Sequence, residues 1–308
     1  MEVNNLKNNM KKIILLYFLL ICCLGYSQTF VVADSLTKEP LAFATIVLDE
    51  KEMLYSNEKG VFIAKNNFEN ITVTYLGYND FTSKKLLLKD TIFLNPITFH
   101  LDKVAITNQK NPPKKIGYLR HTMRKCGTSL PLNPKNEQII VLFPTNEDII
   151  DSYVETIEFP LDKIKHYNKT DKLYKNAPAV IRINIYTVKN ELPDQKIFSS
   201  KPVKFIMSDK EVITIDISGE MIQLPSEGIC FGIEMIGRIN HDGKFIEENS
   251  YARPLLTNQS SKDYKSVTYL TNSILKKTKS YYSITNLYKY SMCKPQDLNL
   301  AIGLTLRK

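Results

Sequence analysis

The segment ITVTYLGYNDF, Ile71–Phe81, decides how the first third of this chain folds. The apolar residues of ITVTYL fall on one side and its threonines on the other, which is the period of a half-buried β-strand. Gly77 follows directly, and glycine is favoured where the backbone needs a positive φ. We therefore predict a strand that leaves its sheet at Gly77, with Tyr75 and Tyr78 packed over the corner.

Short segments of the same kind recur throughout residues 28–108. Each is rich in apolar or β-branched residues, and turn-forming residues such as those of 57–60 separate them. The predicted strands are 30–33, 42–48, 61–64, 71–76, 84–88, 91–94 and 103–107. Strands this short, at about ten-residue spacing, predict an all-β domain built as a β-sandwich.

Turn and core residues follow one another in this block in a recognisable order. They are Asp34, Thr37, Pro40, Leu41, Ala44, Ile46, Asn57, Glu58, Lys59, Gly60, Phe62, Ile71, Thr72, Val73, Leu76, Gly77 and Tyr78. In this order the block resembles the carboxypeptidase-regulatory-like domain found in cell-envelope proteins of Bacteroidota. The resemblance implies a transthyretin-like, seven-stranded sandwich over residues 28–108 that carries no chemistry of its own.

Residues 138–308 form a second block with the same period. Its predicted strands are 138–143, 153–159, 179–188, 203–207, 211–217, 229–236 and 298–307. Four of them alternate cleanly; in 179–188, for example, three isoleucines oppose Arg182 and Asn184. One buried and one solvated face per strand predicts an antiparallel sandwich. Because the last strand must return to the core of the earlier ones, we predict a jelly-roll-like topology.

Residues 109–137 separate the two blocks and differ from both in composition. Two prolines at 112–113 precede three Lys and two Arg within 114–125, which predicts an extended, solvated, basic linker. The whole chain has a formal net charge of +9. After export this excess does not indicate a nucleic-acid partner; it fits attraction to anionic envelope polymers, or solubility alone.

Residues 1–27 have the pattern of a secretory signal peptide. Three lysines precede the apolar run 13–25, and small residues near Ser27 predict cleavage there. An uncleaved anchor is disfavoured because a membrane span needs about 20 apolar residues. A lipid attached at Cys22 or Cys23 is an alternative that would hold the chain peripherally at the outer membrane. We therefore predict an exported protein of the periplasm, outer membrane or cell surface.

Cys126, Cys230 and Cys293 are the cysteines beyond the predicted signal peptide. An odd number with wide spacing predicts no complete internal disulfide framework. One bridge among the three and no bridge at all both agree with the sequence, and each block is long enough to build a core without such a crosslink.

A catalytic or metal-binding constellation is not recognisable in the sequence. No G-x-S-x-G motif is present, and the four histidines are isolated from one another. The acidic residues Glu147, Asp148 and Asp151 lack the spacing of a calcium loop, so a solvated turn is favoured over a calcium site. We predict a non-enzymatic protein that needs neither cofactor nor metal.

Two stretches, 162–175 and 276–290, interleave lysines with tyrosines. Aromatic rings can stack on ligands and lysines can follow anions, so Tyr167, Tyr174, Tyr281 and Tyr282 are candidate ligand-binding residues. Lysines that protect strand edges explain the same pattern. Two hypotheses follow: an exported envelope protein in adhesion, assembly or docking of an envelope protein or polysaccharide, or alternatively a glycan-binding accessory module.

Overall fold

The computed structural model describes residues 28–64, 67–97, 112–117, 132–134, 136–161, 177–206, 212–248, 252–257, 261–271, 281–284 and 298–308. The predicted signal peptide, the predicted strand 103–107 and most of the predicted linker lie outside these ranges. Within them, regular structure is β-strand apart from short helical turns. The prediction of an all-β chain is confirmed.

The first block forms two sheets that face each other. Its strands are β1 (Gln28–Asp34), β2 (Thr45–Leu48), β3 (Glu52–Tyr55), β4 (Val61–Ala64), β5 (Asn70–Thr74), β6 (Phe81–Lys84) and β7 (Thr91–Leu94). The sheet orders are β4-β1-β7 and β3-β2-β5-β6. The β1–β7 pair is parallel, whereas the other pairs in this block are antiparallel. Inward residues of both sheets, such as Val32, Ile46, Ile71 and Ile92, form one apolar core.

Two predicted features of this block are corrected. The predicted strand 84–88 contains the 3-10 turn Lys85–Leu87, in which Leu86 and Leu87 are 95% and 75% exposed. Three consecutive leucines have no alternation, so they do not define a strand face. Strands β3 and β6 were not predicted; each is only four residues long, and β3 follows a tight turn. The block therefore has seven described strands that are not the predicted seven, and the transthyretin-like arrangement stays a prediction.

The corner after β5 is confirmed. Gly77 has a φ of +84°, and the rings of Tyr75 and Tyr78 meet edge to face with centroids 5.5 Å apart. The Tyr78 hydroxyl donates to Asp34 Oδ2 at 2.6 Å, which ties the corner to the end of β1. Burial and this hydrogen bond raise the pKa of Tyr78 to about 12, so its hydroxyl stays a donor.

The second block contains fourteen described strands. They are β8 (Lys114–Gly117), β9 (Glu137–Pro144), β10 (Tyr153–Pro160), β11 (Ala179–Lys189), β12 (Leu192–Ser199), β13 (Val203–Phe205), β14 (Val212–Asp216), β15 (Ile229–Ile239), β16 (Phe245–Ile246), β17 (Leu256–Thr257), β18 (Tyr264–Thr271), β19 (Tyr281–Ser283), β20 (Asn299–Leu300) and β21 (Gly303–Arg307).

These strands form two main sheets around one core. The smaller has the order β14-β10-β21-β8. The larger has the order β12-β11-β15-β9-β18-β19, with β13 also on β11 and β16 also on β15, while β17 and β20 pair separately. Apolar rows from β9, β10, β11, β14, β15 and β21 fill the space between the sheets. The antiparallel sandwich is confirmed, and the jelly-roll-like topology stays a prediction.

The prediction of an extended, solvated linker over 109–137 is wrong for residues 114–117. Residues Lys114–Gly117 form β8 and pair with β21, so they belong to the smaller sheet. Ile116 is 3% exposed and joins the core of the second sandwich, which the flanking lysines and prolines concealed in the sequence. Glu137, the last residue of the predicted linker, begins β9 and is buried.

The prediction of one solvated face per strand is wrong for the centre of the larger sheet. Arg182 and Asn184, predicted to face water, are 7% and 0% exposed. All eleven residues of β15 are buried. The outer face of these strands is covered in part by the first sandwich, and its polar residues satisfy one another there, as described next.

Candidate functional site

Two glutamates lie opposite each other on the outer face of the larger sheet. Glu137 begins β9, and its cross-strand neighbour in β15 is Glu234. Their exposed fractions are 3% and 2%. Buried carboxylates are costly unless hydrogen bonds and positive charges compensate them. The groups around this pair must therefore supply that compensation.

Asn184, on the neighbouring strand β11, joins the two carboxyl groups. Its side-chain amide nitrogen donates to Glu137 Oε1 at 2.8 Å and to Glu234 Oε2 at 2.9 Å. Its amide oxygen accepts from the Ser199 hydroxyl at 2.6 Å. The Tyr186 hydroxyl donates to Glu137 Oε2 at 2.7 Å. One amide thus uses both of its hydrogens to hold two side chains that would otherwise repel each other.

A glycine makes room for this arrangement. Gly232 lies in β15, two residues before Glu234, so both face the same side of the sheet. A Cβ at Gly232 would overlap the Glu137 carboxylate, lying 2.8 Å from its carboxyl carbon. The absent side chain is therefore what allows the Glu137 carboxyl group to lie flat against the strand.

The cluster extends into the first sandwich through Tyr55 of β3. The Tyr55 hydroxyl donates to Glu234 Oε1 at 2.6 Å, and its backbone N–H donates to Glu247 Oε1 at 2.9 Å. In the opposite direction, Arg182 Nη2 donates to the Phe43 carbonyl at 2.5 Å, and Arg182 Nη1 lies 3.8 Å from Glu234 Oε2. Polar contacts of the two sandwiches therefore meet at Glu234.

Apolar side chains surround these contacts. Phe43, Met53 and Tyr55 of the first sandwich pack with residues of β11 and β15, and the Phe43 and Phe245 rings meet edge to face at 5.3 Å. Met53 is fully buried, and burial of a side chain of this size contributes roughly 1.5–3 kcal/mol. We call this contact between the two sandwiches, formed by the apolar residues above and the hydrogen bonds around Glu234, the junction. It combines an apolar contact with a buried polar centre.

The two carboxyl groups differ in their preference for a proton. Burial raises the pKa of Glu137, because a charged carboxylate is disfavoured away from water. Burial acts on Glu234 in the same direction, but the Arg182 guanidinium and the Lys196 ammonium, with hydrogen bonds from neighbouring donors, outweigh it and lower its pKa. Glu234 is therefore the member of the pair that holds the negative charge, and Glu137 takes up a proton more readily.

Two neighbouring carboxyl groups with separated pKa values can act as acid and base when a substrate reaches them. Here the exposed fractions of 2–3% leave neither group open to a substrate. Burial also raises the pKa values of the Tyr55 and Tyr186 hydroxyls well above 10, so both remain donors. In this arrangement the cluster acts as a structural junction between the two sandwiches.

An open cleft of about 590 Å³ lies beside the junction. One wall is the bend between β12 and β13, residues 198–203, and the other is β14 with Glu220 behind it. Tyr75 and Leu76, at the Gly77 corner of the first sandwich, and Arg182 complete the lining. Its volume lies within the range of about 300–1,000 Å³ that is typical of ligand sites, and such sites favour domain junctions.

The predicted ligand-binding tyrosines lie elsewhere. Tyr281 and Tyr282 are neighbours in β19 and point to opposite faces of the sheet. The Tyr281 hydroxyl donates to the Pro193 carbonyl at 3.1 Å, and its ring meets Tyr269 at 6.0 Å, whereas Tyr282 is 47% exposed. The structure does not bring these two rings to one face.

The other two predicted tyrosines, Tyr167 and Tyr174, lie outside the described residues, as does most of both lysine- and tyrosine-rich stretches. A ligand-binding role for the four stays a prediction.

Other residues singled out in the sequence do not form a site in the described ranges. Cys230 is a buried free thiol, and burial raises its pKa to about 12, while Cys126 and Cys293 lie outside these ranges. The acidic segment at 147–149 is a 3-10 turn capped by Asn146, whose side chain accepts from the Asp148 N–H at 3.0 Å. The described residues contain no group of three or more His, Cys, Asp or Glu side chains placed to hold a metal ion.

The central residues of the junction were not identified from the sequence. Glu234 interrupts the apolar run ICFGIEMI, and Asn184 lies between two isoleucines. A polar residue inside an apolar run is as compatible with a solvated face as with a buried network. The sequence alone therefore does not separate these two environments.

Comparisons with protein-family models, curated proteins and solved structures give no match to this chain. Within the described ranges, no helical segment has the length and apolarity required to traverse a lipid bilayer.

Proposed function

We propose that this chain is a non-enzymatic, exported protein of the cell envelope that docks a partner through its two joined β-sandwiches. The export part of the proposal rests on the signal-peptide pattern of residues 1–27. The envelope part rests on the resemblance of residues 28–108 to the carboxypeptidase-regulatory-like domain.

The observation that supports a docking role is that the two buried carboxylates belong to the hydrogen-bond network between the sandwiches. Glu234 accepts a hydrogen bond from Tyr55 across the junction, and Glu137 is bonded to Asn184 and Tyr186. Titratable groups with shifted pKa values often mark active sites, but ion-pair networks that join structural units produce the same shifts. Here the contacts between the sandwiches favour the second explanation.

A firm junction suits a docking protein, because it fixes two surfaces relative to each other before a partner binds. The cleft beside the junction is lined by residues of both sandwiches, including Leu76, which is 44% exposed. Clefts at the junction of two structural units are common places for binding sites. We place the docking surface at this cleft.

Photo-crosslinking in intact cells tests the proposal. A benzoylphenylalanine at position 76 of the full chain is expected to crosslink a discrete envelope species, and the chain is expected in the envelope fraction. The matched control carries the same probe at Leu86, which is 95% exposed and outside the cleft lining. Recovery of the chain from the cytoplasm, or equal crosslinking from both positions, would contradict the proposal.

A further inference from the structure

Among the described strands, β14 is an edge strand of the smaller sheet. On one side β14 pairs with β10 from Val212 to Asp216. The Ile217 N–H donates to the Glu155 carbonyl of β10 at 2.8 Å. The N–H groups of odd-numbered residues in β14 therefore point toward β10. Because direction alternates along a strand, the N–H groups of Val212, Thr214 and Asp216 point away from β10.

The protection of this edge against pairing is limited to its short length and one acidic residue, Asp216. Natural edge strands are commonly interrupted by lysine or proline. The edge strand β12 carries Pro193 and Lys196, and the edge strand β8 carries two lysines. The sequence of β14 is VITID, with four β-branched residues and neither lysine nor proline. It therefore has the composition that favours addition of another strand.

The cleft supplies space and apolar contacts for such a strand. Phe198 and Val203 pack against the flank of the second core and also line the cleft. Ile215, on the opposite wall, is 7% exposed, and Leu76, which also lines the cleft, is 44% exposed. A segment paired with β14 would place alternate side chains toward these groups, as strand addition requires.

The charges of the cleft favour a neutral, extended polypeptide. Lys201 lies on one wall, whereas Asp216 and Glu220 lie on the other. Arg182 also lines the cleft, but it is buried and its charge is opposed by Glu234. A polyanion would meet the two carboxylates and a polycation would meet Lys201, so a run of either sign meets a like charge in the cleft. The ring of Tyr75 is half-buried and meets Tyr78 edge to face.

We propose that the cleft binds an extended segment of a partner polypeptide that adds to β14 as a further strand. This inference rests on the proposed docking function and names its ligand class. The segment carries little net charge and has apolar residues at alternate positions, which contact Leu76, Phe198 and Val203. Its backbone pairs with the outward N–H and C=O groups of Val212 and Thr214.

The test uses a phage-displayed library of random dodecapeptides selected on the full chain. We expect enriched peptides with apolar residues at every second position, and a synthetic copy is titrated by fluorescence anisotropy. Thr214→Pro removes an outward N–H that the β10 pairing does not use, and edge strands tolerate proline at such positions. It is expected to weaken binding at least tenfold, whereas Thr214→Val, which keeps the N–H, stays within twofold of wild type.

Hydrogen exchange of the unsubstituted chain gives a second measurement that does not depend on the fold of a variant. The amides of Val212 and Thr214 are expected to gain protection when the peptide binds. Peptides that bind Thr214→Pro equally well, a selection without binders, or binding of neutral oligosaccharides at the cleft on a glycan array would each overturn strand addition. Equal peptide binding by Thr214→Pro would contradict strand addition but not the proposed docking function. Loss of the position-76 crosslink alone would count against docking in the envelope.

Discussion

Replacement of Tyr55 by phenylalanine isolates the hydrogen bond that joins the two sandwiches. The substitution removes the hydroxyl that donates to Glu234 Oε1 at 2.6 Å and leaves the ring in its apolar surroundings. Asn184 and Arg182 still contact Glu234 in the variant, so the carboxylate keeps part of its compensation. The loss therefore measures one bond rather than collapse of the junction.

The expected magnitude follows from the charge of the acceptor. Hydrogen bonds to charged groups contribute roughly 1.5–3 kcal/mol, and the Glu234 carboxylate is buried. We expect Tyr55→Phe to lower the free energy of unfolding by about 2 kcal/mol. For a chain of 308 residues that corresponds to a fall in melting temperature of about 3 °C.

Urea unfolding followed by circular dichroism measures this change. The matched control is Tyr282→Phe, which removes a hydroxyl from a side chain that is 47% exposed and is expected to stay within about 0.5 kcal/mol of wild type. A double-mutant cycle with Glu234→Gln should show a coupling energy above about 0.5 kcal/mol. A Tyr55→Phe variant as stable as the control would refute the account of the junction.

Three further predictions concern single positions. Gly232→Ala should lower the free energy of unfolding by at least about 2 kcal/mol, because its Cβ would overlap the Glu137 carboxylate. The control Gly219→Ala has open space around it and should change the free energy of unfolding by less than about 0.5 kcal/mol in the same urea titration. Gly77→Val should cost about 1–2 kcal/mol through its φ of +84° alone, since nothing lies within 4 Å, and a melting curve that matches wild type would contradict this. Glu137→Gln should gain stability relative to wild type as pH rises above about 4.5. The raised pKa of Glu137 stabilises the wild type fully below that pH, and this contribution is lost as pH rises through the folded-state pKa. A stability difference between the two proteins that does not vary with pH would count against this prediction.

The strand pattern was predictable wherever one face meets a core and the other meets water. In β5 and β14 the buried and exposed residues alternate as the sequence indicates. Gly77 was predictable for a related reason, because a glycine that ends such a strand has few other uses. These features depend on local sequence period and on backbone sterics alone.

The outer face of the larger sheet was not predictable from the same rules. Arg182 and Asn184 have the polar character of a solvated row, yet the first sandwich and the neighbouring strands bury them. Their burial depends on partners more than forty residues away, such as Phe43, Glu137 and Glu234. A periodicity argument contains no information about such partners.

The strand β12 was missed because its signals conflict. Pro193 and Asp194 indicate a turn, but the turn lies at Asn190 and Glu191, whose φ values are +51° and +61°. A two-residue loop with two positive φ values matches the twist of a β-hairpin, and proline is acceptable near the start of an edge strand. Tyr281 and Tyr282 are neighbours in a strand and therefore face opposite sides of the sheet, so a ligand-binding role for the tyrosines stays a prediction.

Native-state hydrogen exchange of the full chain tests most directly whether the two sandwiches form one cooperative unit. The amide of Tyr55 in β3 and that of Ile236 in β15 lie on opposite sides of the junction, and the Tyr55 amide donates to Glu247. If the sandwiches form one unit, the opening free energies of these two amides agree within about 1 kcal/mol. A Tyr55 amide that exchanges with a free energy more than about 2 kcal/mol lower, together with the rest of the first sandwich, would contradict it.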